Sequence, residues 1–188
     1  MKNIAFLLCA AFSFLLHASA EFDAQTVSSP DGRLQVSFRT DAKGMRWSLL
    51  RDGKMLVKPS VMGFRFAAGN DCDKEAVKFS AMKVVGVRRS SADTLWTTSL
   101  YRREKVRDRY NELVVELEEV EARAALIELG NTSVKKHPRR MDVVFRAYDE
   151  GVAFRYSFPH QIAFEGFQIK DELTEWRFAS DVMAWTTT

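Results

Sequence analysis

Hydrophobic positions in this chain recur mostly at every second residue. Leu34, Val36 and Phe38 alternate with polar neighbours just after Ser29-Pro30-Asp31-Gly32, the pattern of a half-buried strand entered from a tight turn. A second strand is expected over 45–50; Asp52-Gly53 then supplies the two positive-φ positions of a tight hairpin, and 55–57 returns. The meander continues through Gly63-Phe64-Arg65-Phe66, then Met82, Val84 and Val87, then Leu95-Trp96. Further on, Leu113, Val115 and Leu117 alternate with Val114, Glu116 and Glu118. The clearest hairpin joins 141–148 to 152–158 across Asp149-Glu150-Gly151, with Pro159 closing the second strand. Turn signals about every ten residues describe an all-β antiparallel sandwich or barrel. One segment departs from this pattern. Residues 118–129, rich in Ala, Leu and Glu and followed by Gly130-Asn131, have the composition of a short helix.

The amino-terminal stretch has a different character. Lys2 precedes an apolar run over 4–16, and Ala18-Ser19-Ala20 follows as a small-x-small cleavage signal, so residues 1–20 read as a signal peptide. The run is shorter than the roughly 20 apolar residues a membrane span needs. Export to the periplasm or cell surface is therefore expected, with residues 21–188 forming one domain and no membrane attachment after cleavage. Cys9 leaves with the signal and Cys72 remains alone, so the fold must rest on its core rather than on a disulfide.

Composition agrees with that reading: 46% of residues are hydrophobic and Phe supplies 14 of the aromatics. With 28 Lys and Arg against 25 Asp and Glu, the net charge of +3 argues against nucleic acid as a partner. Catalytic chemistry is harder to find. A glycosidase needs two carboxylates on opposite sides of the scissile bond, about 5–10 Å apart. Asp149-Glu150 are adjacent at a hairpin tip, where turn chemistry explains them, and Asp171, Glu172 and Glu175 read as a solvated acidic group. His137 and His160 stand alone, without ligand spacing to another His or Cys. No catalytic residue and no metal site are assigned.

Arg102, Arg103, Lys105, Arg107 and Arg109 form a basic run. In a strand, Arg103, Lys105, Arg107 and Arg109 would share one face with Leu113, Val115 and Leu117, so a turn or bulge near Tyr110-Asn111 is expected to reset the register.

Three blocks, Arg107-Asp108-Arg109-Tyr110-Asn111-Glu112-Leu113, the twelve residues from Phe145 to Tyr156 (FRAYDEGVAFRY), and Asp171-Glu172-Leu173-Thr174-Glu175, resemble in order and spacing the N-terminal domain of glycoside hydrolase family 97. The resemblance extends from about Val27 to Trp185. It implies a β-super-sandwich like galactose mutarotase, packed in the intact enzyme on a (β/α)8 barrel that carries the catalytic carboxylates and uses calcium. It further implies an exported α-glucosidase or α-galactosidase active in polysaccharide breakdown. Three features depart from the family pattern. Arg109 stands where the family commonly has His, the stretch between Glu118 and Met141 is longer than usual, and Thr186-Thr187-Thr188 replace the family's continuation. The family's calcium-ligating glutamate lies beyond that point and is not carried over. The expected role is that of a non-catalytic domain, C-terminally incomplete, that shapes the active-site pocket and docks on the barrel. Arg107, Asp108, Tyr110, Asn111, Glu112 and Trp185 are the candidates for substrate-pocket or interdomain contact. The alternative is a free-standing exported carbohydrate-binding module, with Trp47, Trp96, Trp176 or Trp185 as its aromatic platform.

Overall fold

The computed structural model describes residues 24–41, 43–66, 77–78, 81–99, 104–120, 138–161, 168–183 and 185. The signal segment, Cys72, His137 and most of the stretch with helix-like composition lie outside them. Eleven strands run as β1 (Gln25–Ser28), β2 (Leu34–Asp41), β3 (Gly44–Arg51), β4 (Lys54–Met62), β5 (Phe64–Phe66), β6 (Val77–Lys78), β7 (Met82–Thr97), β8 (Lys105–Glu119), β9 (Arg140–Tyr148), β10 (Val152–Ser157) and β11 (Ile169–Glu172). They form three antiparallel sheets in the orders β1-β2-β3-β4, β10-β9-β8-β7 and β11-β5-β6. The described residues contain no helix.

The turn chemistry works as the sequence suggests. Asp52 and Gly53 take φ of 50° and 75°, the two left-handed positions that match a hairpin turn to the twist of its strands, and Arg51 pairs with Lys54 across them. Gly63, at φ 148°, turns the chain out of the first sheet into the third.

The first two sheets face each other across one core. Val36, Phe38, Trp47, Leu49 and Val57 from the first meet Leu113, Val115, Leu117, Val143 and Phe145 from the second, all of them buried. Each large side chain so enclosed contributes about 1.5–3 kcal/mol. Aromatic rings carry the packing along the sandwich: Phe38 meets Phe145 at 5.8 Å, Phe154 meets Trp47 at 5.4 Å, and Phe64 meets Tyr156 edge-on at 4.5 Å. Burial pushes the Tyr156 hydroxyl up to about 12; the phenol stays neutral and shares a 2.7 Å hydrogen bond with the Thr174 hydroxyl.

After β11 the chain runs beside β4. The N–H groups of Leu173, Glu175 and Ala179 donate to the carbonyls of Gly63, Val61 and Leu56, and Lys58 N–H donates to Arg177. Residues 173–179 thus cover the edge of the first sheet, and Trp176 is laid against Phe154 at 5.7 Å and Trp47 at 4.6 Å.

Two expectations are corrected. Strand pairing continues to the end of β8, so Glu118 and Glu119 are strand residues opposite Lys83 and Met82; any helix in this stretch would lie beyond them, outside the described residues. Strand β8 also passes through Tyr110-Asn111 without a register shift on either neighbour, the one irregularity of its pairing with β7 lying at Val84/Gly86. Charge and core do share a face of this strand. The facing strand β1 ends at Ser28, where Asn111 donates its side-chain N–H to the Ser28 carbonyl at 2.8 Å. Beyond that contact β7 and β8 overhang the sandwich as a two-stranded ribbon, and Arg107 and Lys105 meet water instead of the opposite sheet.

Candidate functional site

Because side chains alternate across a pleated strand, the six candidate residues do not converge. Arg107 and Asn111 lie on the face that continues the core side of β8, whereas Asp108, Tyr110 and Glu112 lie on the outer face. Trp185 is 91% exposed, and no contact joins it to either group.

On the core-side face Arg107 ties the two strands of the ribbon to each other, while Arg109 and Asn111 tie the ribbon to the body. Arg107 grips Asp93 with two hydrogen bonds of 2.7 and 2.6 Å, which holds the Asp93 carboxyl below its ordinary value of 3.8 and raises the guanidinium. Arg109 reaches Asp149 at 3.2 Å, and the same carboxylate accepts the Asp31 N–H at 2.8 Å. The acid at the hairpin tip therefore clamps the 29–32 turn and β8 together, a use that turn chemistry alone did not reveal. Hydrogen bonds from Ser29 and the Arg33 N–H keep Asp31 itself below the ordinary carboxylate range. Two depressions of about 430 and 340 Å³ share Ser91 and Asn111 and follow the line where β1 and the 29–32 turn meet β7. Their lining is mainly hydroxyl, amide and charged groups.

On the outer face Arg146 is held rigidly. It stacks 4.1 Å over the Tyr110 ring, donates to Glu112 at 2.7 Å and is also bonded to Tyr148, and the Glu112 contact is the main reason its acidity is suppressed. Tyr148 packs on Tyr110 at 5.3 Å. The β9–β10 hairpin turns at this pair, so the sheet steps from four strands to two, and Asp108 sits on the step with no hydrogen-bond or ion-pair partner among the described residues. Sequence reasoning chose Asp108, Tyr110 and Glu112 but missed Arg146 and Tyr148, which stand directly opposite Glu112 and Tyr110 on β9. Both belong to the FRAYDEGVAFRY block, and the hairpin parity was the signal available for them.

The remaining acids are individually engaged. Asp171 pairs with Arg65, Glu172 accepts from Thr174 at 2.6 Å, and Glu175 accepts the Val61 N–H at 3.3 Å. Among the described residues no three His, Cys, Asp or Glu side chains come together to hold a metal ion. Of the tryptophans, Trp47 is buried, Trp176 packs against Trp47 and Phe154 while staying 49% exposed, and Trp96 and Trp185 are exposed without a described ring contact.

These features define an all-β domain of two facing sheets and a small third one, whose described polar groups are arranged mainly as clamps and exposed surface. A profile of the glycosyl-hydrolase 97 N-terminal family matches residues 27–188, and the chain belongs to that family. A retaining α-galactosidase of Bacteroides thetaiotaomicron is 25% identical over 185 residues, which are 98% of this chain and 23% of that protein. A family 97 enzyme of Pseudoalteromonas sp. strain K8, solved with panose, superposes with a TM-score of 0.66 at 27% identity over 82% of this chain and 20% of its own. A β-arabinopyranosidase superposes at 0.63 with 26% identity, covering 82% of this chain and 21% of its own. The chain thus spans about a fifth of the relatives it matches.

Proposed function

We propose that this chain acts as the non-catalytic N-terminal domain of an exported glycoside hydrolase, docking on a (β/α)8 catalytic domain and helping to wall its pocket for an α-glycoside. The observation that carries this reading is the disposition of the acids. Of the acids proposed from sequence, Asp149, Glu112 and Asp171 are each tied to an arginine, Glu172 to a hydroxyl and Glu175 to a backbone N–H, so most are engaged in structural contacts rather than held as the opposed pair that glycoside hydrolysis requires; Asp108 and Glu150 have no such contact among the described residues. Family membership and the one-fifth span support the same reading, since the relatives carry several times more chain for chemistry. The Lys2, apolar-run and Ala18-Ser19-Ala20 arrangement supports export to the periplasm or cell surface. Calcium would belong to the full-length enzyme: the described residues do not assemble a site for it.

Incubated with nitrophenyl α-glucoside or α-galactoside, with and without added calcium, the full chain is expected to release no nitrophenol above the buffer rate. Turnover that disappears on Asp149→Asn or Asp171→Asn would contradict the non-catalytic assignment.

A further inference from the structure

We propose that the step on the outer face of the β7–β8 ribbon, formed by Trp96, Thr94, Asp108 and Tyr110, is a binding surface for a neutral oligosaccharide, separate from any pocket the domain helps to wall. The inference deepens the accessory-domain reading and rests on it for the class of ligand.

Register brings these residues together. Trp96 stands opposite Val106, Thr94 opposite Asp108 and Ala92 opposite Tyr110, so all six lie on one face of the ribbon. At about 3.4 Å per residue, Trp96 and Tyr110 are separated along it by roughly 14 Å. Between these aromatic ends lie Thr94 and Asp108, with the small Ala92 beside Tyr110 and Val106 beside Trp96. Strand β9 stops at Tyr148, so no described strand flanks Asp108 where β9 would otherwise continue.

The chemistry suits a sugar better than the other ligands considered. Trp96 is 46% exposed, although a tryptophan removed from water would bury a large apolar area. A pyranose offers an apolar C–H face to such a ring and a row of hydroxyls beside it. Asp108 is half-buried and has no partner among the described residues, while neighbouring Asp93, Asp149 and Glu112 each hold an arginine. An ionised carboxylate kept free in this company can accept two hydroxyl hydrogen bonds, and charge-assisted bonds are the stronger kind. The Thr94 hydroxyl adds a donor and acceptor. Anionic ligands are disfavoured by Asp108, and a purely apolar partner would leave its carboxylate desolvated.

The test titrates the full chain with maltotriose and follows tryptophan emission. A saturable change is expected in the millimolar range, typical of a shallow site at about −4 kcal/mol. Trp96→Ala should abolish the signal and the binding seen by calorimetry, and Asp108→Asn should weaken affinity by about tenfold. Trp185→Ala should leave affinity unchanged, and unchanged far-ultraviolet circular dichroism should show that each variant remains folded. Absence of saturable binding, or binding lost with Trp185 and kept without Trp96, would overturn the assignment. Neither result bears on docking to a catalytic domain, which is measured by association of the two proteins without sugar.

Discussion

Arg139→Met is expected to destabilise the domain by about 3 kcal/mol, the cost of leaving a buried carboxylate without its cation. Glu119 occupies the last inward position of β8, in phase with Leu113, Val115 and Leu117, and its side chain is only 2% exposed. Arg139 holds it through two hydrogen bonds, one of them 2.7 Å, and lies 5.9 Å over the Phe66 ring. The contrast with Arg107–Asp93 decides the magnitude. That pair has the same two-bond geometry but side chains 60% and 49% exposed, so water solvates whichever partner remains, and Arg107→Met should cost no more than about 1 kcal/mol. Urea unfolding at unchanged slope measures both variants. Equal, small effects would show that Glu119 is not desolvated.

Trp47→Ala should have a comparable or larger effect, about 3–5 kcal/mol for a fully buried large aromatic. The residue is 1% exposed and joins three parts of the fold. Its ring meets Phe154 from the second sheet and Trp176 from the terminal run, and its indole N–H donates to the Glu175 carbonyl at 3.2 Å. Removing it opens a cavity and unpins residues 173–179 from β4. Hydrogen exchange at the Glu175 and Ala179 amides should accelerate more than global destabilisation alone explains, while Trp47→Phe should preserve most of the slow exchange. Protection that falls uniformly over all strands would contradict the pinning role.

Much of this architecture is legible in alternation and turn chemistry. Val36 and Phe38 point inward because they are two apart, and Asp52-Gly53 closes its hairpin as those residues do elsewhere. The FRAYDEGVAFRY block yields both the β9–β10 hairpin and the family. What escaped the sequence depends on distant chain. Whether Arg107 faces core or water is decided by where β1 ends, more than 70 residues earlier, so alternation demanded a bulge that an overhanging ribbon makes unnecessary. The same alternation, applied one step further, would have split Arg107-Asp108-Arg109-Tyr110-Asn111-Glu112 between two faces. Carried past Leu117 it would also have put Glu119 inward, against the helix-like composition of that stretch, but the partner of Glu119 lies 20 residues along the chain, beyond any local pattern. The docking of 173–179 on β4 had no sequence signal of comparable strength, since Thr174-Glu175-Trp176-Arg177-Phe178 mixes charge and aromatics without turn residues.

The proposed role of this sandwich as the partner of a catalytic domain is measured by sedimentation velocity of the full chain mixed with separately expressed catalytic domains of the Bacteroides α-galactosidase and the Pseudoalteromonas enzyme, each lacking its own N-terminal domain. A one-to-one complex with at least one of them, sedimenting faster than either component, is expected. Independent sedimentation of the chain beside both catalytic domains, at concentrations where each relative's own N-terminal domain does associate, would contradict it.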